Sequence, residues 1–136
     1  MNLKKIIIQN WDNKTQQELY THIISNVLDN FSCISNKDIT DVAIVGSRIG
    51  NWSLEKSDID VVVFISENII CPNPKITYFK NIRTCTFIRH GDIYTDKKVY
   101  GKFHMPRFSL KTKEYIKGNE EDIEEYLKWK FKIKKR

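Results

Sequence analysis

An α/β fold of the α+β kind, a mixed, twisted β-sheet with helices packed on it, is predicted from three stretches of this sequence. The apolar run Val42, Ala43, Ile44, Val45 stops at Gly46 as a buried strand should. Ile59, Val61, Val63 and Ile65 alternate with Asp58, Asp60, Val62 and Phe64, the pattern of a second strand. Leu19, Tyr20, Ile23, Ile24, Val27, Leu28 and Phe31 recur at one, three and four residues, the stripe of a helix buried along one face. A sheet and an amphipathic helix bury their apolar faces against each other. The chain of 136 residues is 40% hydrophobic, enough for a core, and its length predicts a single domain over residues 1–136.

Taken in order, the elements follow from local chemistry. Asn13 with Gln16, or Thr15 with Glu18, can cap the first helix. His22 lies beside its apolar stripe and reads as a helix-surface residue. Ser35, Asn36 and Asp38 form the loop into the first strand. A short helix or turn should follow Gly46-Ser47, with its N-terminal N–H groups free to face an anion. After the second strand, Cys71-Pro72-Asn73-Pro74 is a loop, because two prolines so close cannot occupy a central strand. Ile82 to Ile88 is rich in β-formers. His90-Gly91 is expected to turn that strand back into Asp92 to Thr95 as a hairpin. Residues 96–117 show no strong period. Asn119 should cap a tail helix that begins acidic at Glu120, Glu121 and Asp122 and ends basic at Lys132, Lys134, Lys135 and Arg136, the order the helix dipole favours. Ile123, Tyr126, Leu127 and Phe131 can dock it by one face.

Charge and cysteine usage narrow the class. A net charge of +6 favours encounter with polyanions such as triphosphates or RNA. Lys97, Lys98, Lys102, His104, Arg107, Lys111 and Lys113, interleaved with Tyr100, Phe103 and Phe108, fit RNA contact or a solvated loop whose aromatics return to the core. Trp52 can stack on a base or pack. Cys33, Cys71 and Cys85 are odd in number and lack Cys-X-X-Cys spacing, which argues against a disulfide framework and against a zinc site. No stretch approaches the ~18 apolar residues of a membrane span. The expectation is a soluble, cytoplasmic protein that keeps its thiols reduced.

The chemistry concentrates between Asp41 and Ile65. Asp58 and Asp60 point to the same side of their strand, ~6.6 Å apart along it. Two such carboxylates repel each other unless a cation lies between them, and hard oxygen ligands suit magnesium or manganese. A Gly-Ser turn at the end of the neighbouring strand can offer N–H groups and a hydroxyl to phosphate.

Gly46-Ser47, ten residues, then Asp58-Ile59-Asp60 resembles the signature of the nucleotidyltransferase superfamily, the DNA polymerase beta-like proteins, and a chain this small resembles their minimal, MNT-type members. The resemblance implies a nucleotidyltransferase-like sheet, Mg2+ or Mn2+ as cofactor, and ATP or another nucleoside triphosphate as substrate. It implies that Gly46 and Ser47 hold the β- and γ-phosphates, with Arg48 either adding a charge-assisted contact or lying on the turn surface. Asp58 and Asp60 would bridge two metal ions. The family supplies a third carboxylate from a later strand; Asp92 is the first candidate and Asp96, of the same strand parity, the second, while a hairpin-turn role for Asp92 would leave the fold able to bind nucleotide without efficient transfer. The implied reaction moves a nucleoside monophosphate, AMP from ATP, to a macromolecular hydroxyl. Family members include antitoxins that adenylylate a HEPN-type toxin and enzymes that modify RNA 3′ ends; a protein acceptor suits this chain better than RNA. The rival is a nucleotide-binding or protein-binding module with the same fold and no turnover.

Overall fold

A computed structural model describes residues 8–49, 58–69, 74–94 and 103–134. Among them are two α-helices and six strands: α1 (Asn13–Asn30), β1 (Ile39–Val45), β2 (Ile59–Ile65), β3 (Lys75–Phe79), β4 (Ile82–His90), β5 (Arg107–Ser109), β6 (Tyr115–Ile116) and α2 (Glu120–Lys134). The strands form one mixed sheet in the order β3-β4-β2-β1-β5-β6. The β2–β4 pair is parallel and the other four pairs are antiparallel. The architecture is therefore α+β. No helix among the described residues is long and apolar enough to cross a membrane.

The alternating pattern of β2 reflects its central place. Ile59, Val61, Val63 and Ile65 face α1 with Val42 and Ile44 of β1, and Leu19, Ile23 and Val27 of the helix close that core. Val62 and Phe64 face the opposite side, with Ala43, Val45, Phe87, Ile93 and Ile116. Asp12 caps α1, its Oδ1 accepting from the Thr15 N–H at 2.7 Å; the predicted caps at Asn13 and Thr15 lie one and three residues too late. Gln16 is buried in the first turn, where its Nε2 donates to the carbonyls of Ile8 and Trp11 at 3.1 and 3.2 Å, so the helix start carries an amide inside without leaving it unsatisfied.

The predicted hairpin at His90-Gly91 is not formed. The chain instead turns at Lys80 and Asn81, which adopt φ of 48° and 68°, the two left-handed residues that suit the twist of a two-residue hairpin. This turn joins β3 to β4, with Phe79 facing Ile82, and β4 continues through His90 beside β2. Residues 96–117, which carry no clear period, supply two short strands, and Arg107 and Phe108 of the basic stretch are buried in one of them. Their burial removes them from any RNA-facing surface, although Lys111 and Lys113 stay exposed. Lys97, Lys98, Tyr100 and Lys102 lie outside the described residues, as do Trp52, Cys71 and Asp96.

His22 is half-buried on α1. Its Nε2 lies 2.9 Å from the Thr77 hydroxyl and its ring packs on Phe79, 5.6 Å between centroids. Burial lowers its pKa below the ordinary 6.5. The unfolded chain therefore takes up this proton first as pH falls, and stability present above about pH 6.5 is lost below it. Denaturant midpoints at about pH 7.5 and about pH 5.5 should differ less in His22→Gln than in the native sequence; an equal drop in both would assign the acid sensitivity to other groups.

Candidate metal and phosphate site

Val45 faces Asp60 across the β1–β2 ladder, so the chain leaves β1 at Gly46 about one strand spacing, ~4.8 Å, from the start of β2. Gly46 has a φ of 82°, a left-handed conformation that glycine adopts without the penalty a Cβ would bring. It opens a 3-10 turn over Gly46–Arg48, closed by the Ile49 N–H on the Gly46 carbonyl at 3.1 Å. The structure thus brings the Gly46-Ser47 turn beside the Asp58–Asp60 end of β2.

Asp60 lies on the side of the sheet that carries Val62, Phe64 and, on β4, its register partner Cys85. It is half-buried, as is Asp58. Asp58 is engaged already: its Oδ2 receives the Arg83 Nη1 donor at 2.6 Å, with the two side chains 31% and 49% exposed. That bond and its charge raise the Arg83 pKa. Burial, reinforced by the charge of Asp60, pushes the Cys85 thiol up as well. Tyr126 of α2 is buried on this side, and its hydroxyl is raised by burial first and by Asp60 second.

Arg48 does not lie on the surface of the turn. Its side chain is fully buried, where burial lowers the guanidinium pKa and the charge of Asp58 opposes that shift. It underlies the site as a buried cation facing the same carboxylate field, and is not presented on the turn's surface.

Asp92 is not brought to this site. The parallel register sets Cys85 beside Asp60 and His90 beside Ile65, so β4 leads away from the aspartates, and five residues at ~3.3 Å place even His90 roughly 17 Å along from Cys85. Asp92 follows that distant end. It is exposed, and its Oδ1 accepts from the Tyr94 N–H at 2.7 Å, an Asx turn of the kind aspartate forms in loops. Asp92 does not join Asp58 and Asp60, because β4 pairs with β2 in parallel and residues 92–94 form no second hairpin arm; Asp96, the other candidate, lies outside the described residues.

Arg83 and Cys85 are not among the residues expected at the site; they alternate with Ile82, Thr84 and Thr86 along β4, and the β2–β4 register puts them on the face of Asp58 and Asp60.

Two carboxylates on one side of a strand end, with a glycine turn beside them, fit one magnesium-sized ion that takes its remaining ligands from phosphate and water. A second ion would need further carboxylates. Among the described residues, no group of three or more His, Cys, Asp or Glu side chains is placed to hold a metal. Comparison with protein-family models, with curated proteins and with solved structures finds no match for this chain.

Proposed function

We propose that this chain binds a divalent-metal nucleoside triphosphate between the Gly46-Ser47 turn and Asp58 and Asp60, and that it is a minimal nucleotidyltransferase, passing AMP from ATP to a macromolecular hydroxyl. The observation that carries the reading is the juxtaposition of the two halves of the motif: Val45 opposite Asp60 puts the glycine turn and the paired carboxylates at one end of two adjacent strands. Charge supports it too, since a basic chain attracts a triphosphate from solution.

In this reading Asp58 and Asp60 hold the ion and the Gly46-Ser47 backbone meets the phosphates, while Arg48 beneath contributes positive potential. The bound ion would neutralise phosphate charge and orient the triphosphate for displacement of pyrophosphate. A macromolecular acceptor is favoured because a small one would need a deep enclosing pocket as well as the triphosphate site. A protein hydroxyl, including one on a HEPN-type toxin, is preferred over an RNA 3′ end, since burial of Arg107 and Phe108 weakens the basic-aromatic patch that RNA would need.

One observation favours a second reading, triphosphate binding with little or no transfer. The position on β4 beside Asp60 is a thiol and that beside Asp58 an arginine, so the carboxylate that would help activate an acceptor hydroxyl is missing from the described site. Incubation with ATP labelled on the α-phosphate, magnesium, and either lysate protein or total RNA separates these. Label in a protein band is the expected result. Label confined to RNA reverses the acceptor, and label in neither, with ATP still bound, selects the second reading.

A further inference from the structure

On the side away from β1, the sheet face that carries Asp58 and Asp60 continues across β4 to β3, the last strand of the described sheet. Cys85 pairs with Asp60 in the β2–β4 ladder, and the Arg83 Nη1 donates to Asp58 Oδ2 at 2.6 Å. In the β3–β4 ladder Tyr78 pairs with Arg83 and Ile76 with Cys85. Directly paired residues share a face, so Tyr78, Arg83 and Asp58 form one row across three strands. Tyr78 stands two strand spacings, roughly 10 Å, from Asp58. Thr77 points to the other face, as alternation requires, and there its hydroxyl meets His22 of α1. Tyr78 is 65% exposed, so the row ends in an open phenol. The Arg83 pKa is raised by its bond to Asp58 first and, among the smaller causes, by Tyr78, which sets the phenol within electrostatic reach of the guanidinium.

Resting on the reading that this site passes AMP from ATP to a protein hydroxyl, we propose that one acceptor is the chain's own Tyr78, adenylylated within the same molecule. Displacement at phosphorus is in line, with the attacking oxygen opposite the leaving one. The Gly46-Ser47 turn lies at the end of β1, so a triphosphate held there directs its pyrophosphate toward β1. The α-phosphate above the aspartates is then attacked from the side of β4 and β3. Of the exposed tyrosines Tyr78, Tyr94 and Tyr115, Tyr78 stands on that line. Tyr94 follows the far end of β4, and its hydroxyl donates to Glu114. Tyr115 pairs with Phe108, whose partner Ile44 faces the α1 core, so it belongs to the opposite face. In the step, a bond forms between Tyr78 Oη and the α-phosphorus as the bond from that phosphorus to the bridging oxygen of pyrophosphate breaks. Pyrophosphate leaves with that electron pair, and the phenol proton passes to water. A divalent ion arriving at Asp58 competes with Arg83 for the carboxylate, and the half-exposed guanidinium, once released, can hold the phenolate oxygen by a charge-assisted bond.

The intact chain is incubated with magnesium and ATP labelled on the α-phosphate, and the modified residue is mapped by peptide mass spectrometry. The expected result is an adenylyl group on Tyr78, added at a rate per molecule that does not change with protein concentration. Tyr78→Phe keeps the exposed ring and removes the attacking oxygen, and should lower the label at least about tenfold. Tyr94→Phe should be labelled as the native chain is. Label mapped to another residue, label undiminished in Tyr78→Phe, or a rate that rises with protein concentration would overturn the proposal. An unlabelled chain that still binds ATP with magnesium, or that labels lysate protein, would overturn it too while leaving the reading beneath it intact. If calorimetry finds no magnesium-dependent ATP binding, that reading fails and the proposal with it.

Discussion

Replacing Asp58 and Asp60 together with asparagine should lower magnesium-dependent ATP affinity by about 100-fold or more, ~2.7 kcal/mol, while the chain still folds. The amides keep the shape of the carboxylates and remove the two charges that would hold the ion. The structural cost has two parts. The Arg83–Asp58 bond joins partly exposed groups, and exposed pairs of this kind contribute about 0–1 kcal/mol. Arg48 is the more sensitive partner, because it is fully buried and the charge of Asp58 offsets part of its burial. Asp60→Asn alone should already lose most of the metal dependence. Calorimetry with ATP, with and without magnesium, alongside thermal unfolding of the same samples, checks both halves. Unchanged metal-dependent binding in the double variant would end the assignment of these aspartates.

The parts of this fold that were legible in the sequence are those where burial imposes a strong period. α1, β1 and β2 could be read because each packs a continuous apolar stripe into one core. α2 could be read from its cap and charge order, and Asn119 Oδ1 does accept from the Glu121 and Asp122 N–H groups. The β3–β4 hairpin was not legible, because its turn is Lys80-Asn81, without the glycine that usually announces two left-handed residues. His90-Gly91 offered the more familiar turn signal a few residues later, and it drew the strand end, and with it Asp92, to the wrong place.

The site divided the same way. Gly46 and the Asp58–Asp60 pair are local in sequence and their mutual approach needs only one antiparallel ladder, so spacing alone could anticipate it. What flanks them on β4 depends on a parallel pairing across an intervening hairpin, a non-local fact with no local signal. Arg48 shows the limit at a single residue: an arginine after a turn glycine is ordinarily exposed, and only the packing of the turn against β2 puts it inside.

Gly118→Ala is expected to be the most damaging single change outside the core. A Cβ there would lie 2.5 Å from the His104 carbonyl oxygen, 2.6 Å from the Met105 carbonyl carbon and 2.6 Å from the Pro106 nitrogen. All three are backbone atoms, which cannot swing aside as a side chain can. Both strands of this crossing are also pinned: the Asn119 N–H donates to the His104 carbonyl at 2.9 Å, and the His104 N–H donates to Asp122 Oδ2 at 2.8 Å. The methyl therefore forces the two segments apart, at about 1–3 kcal/mol for the overpacking and ~1 kcal/mol for each hydrogen bond lost. For a chain of this size that lowers Tm by roughly 5–15 °C. The consequence for the site follows from what the crossing holds in place. Asp122 and Asn119 anchor the first turn of α2, and that helix brings Tyr126 onto the Asp60 side of the sheet, where it packs edge-on to Phe103 at 5.7 Å. Freed from that anchor, the helix should expose Tyr126 and become sensitive to protease, and the tyrosine hydroxyl should titrate closer to its ordinary value of 10. Thermal unfolding, limited proteolysis of the tail and ultraviolet titration of the tyrosines read these three effects. An alanine variant with an unchanged Tm and a protected tail would show that α2 is held by contacts other than this crossing.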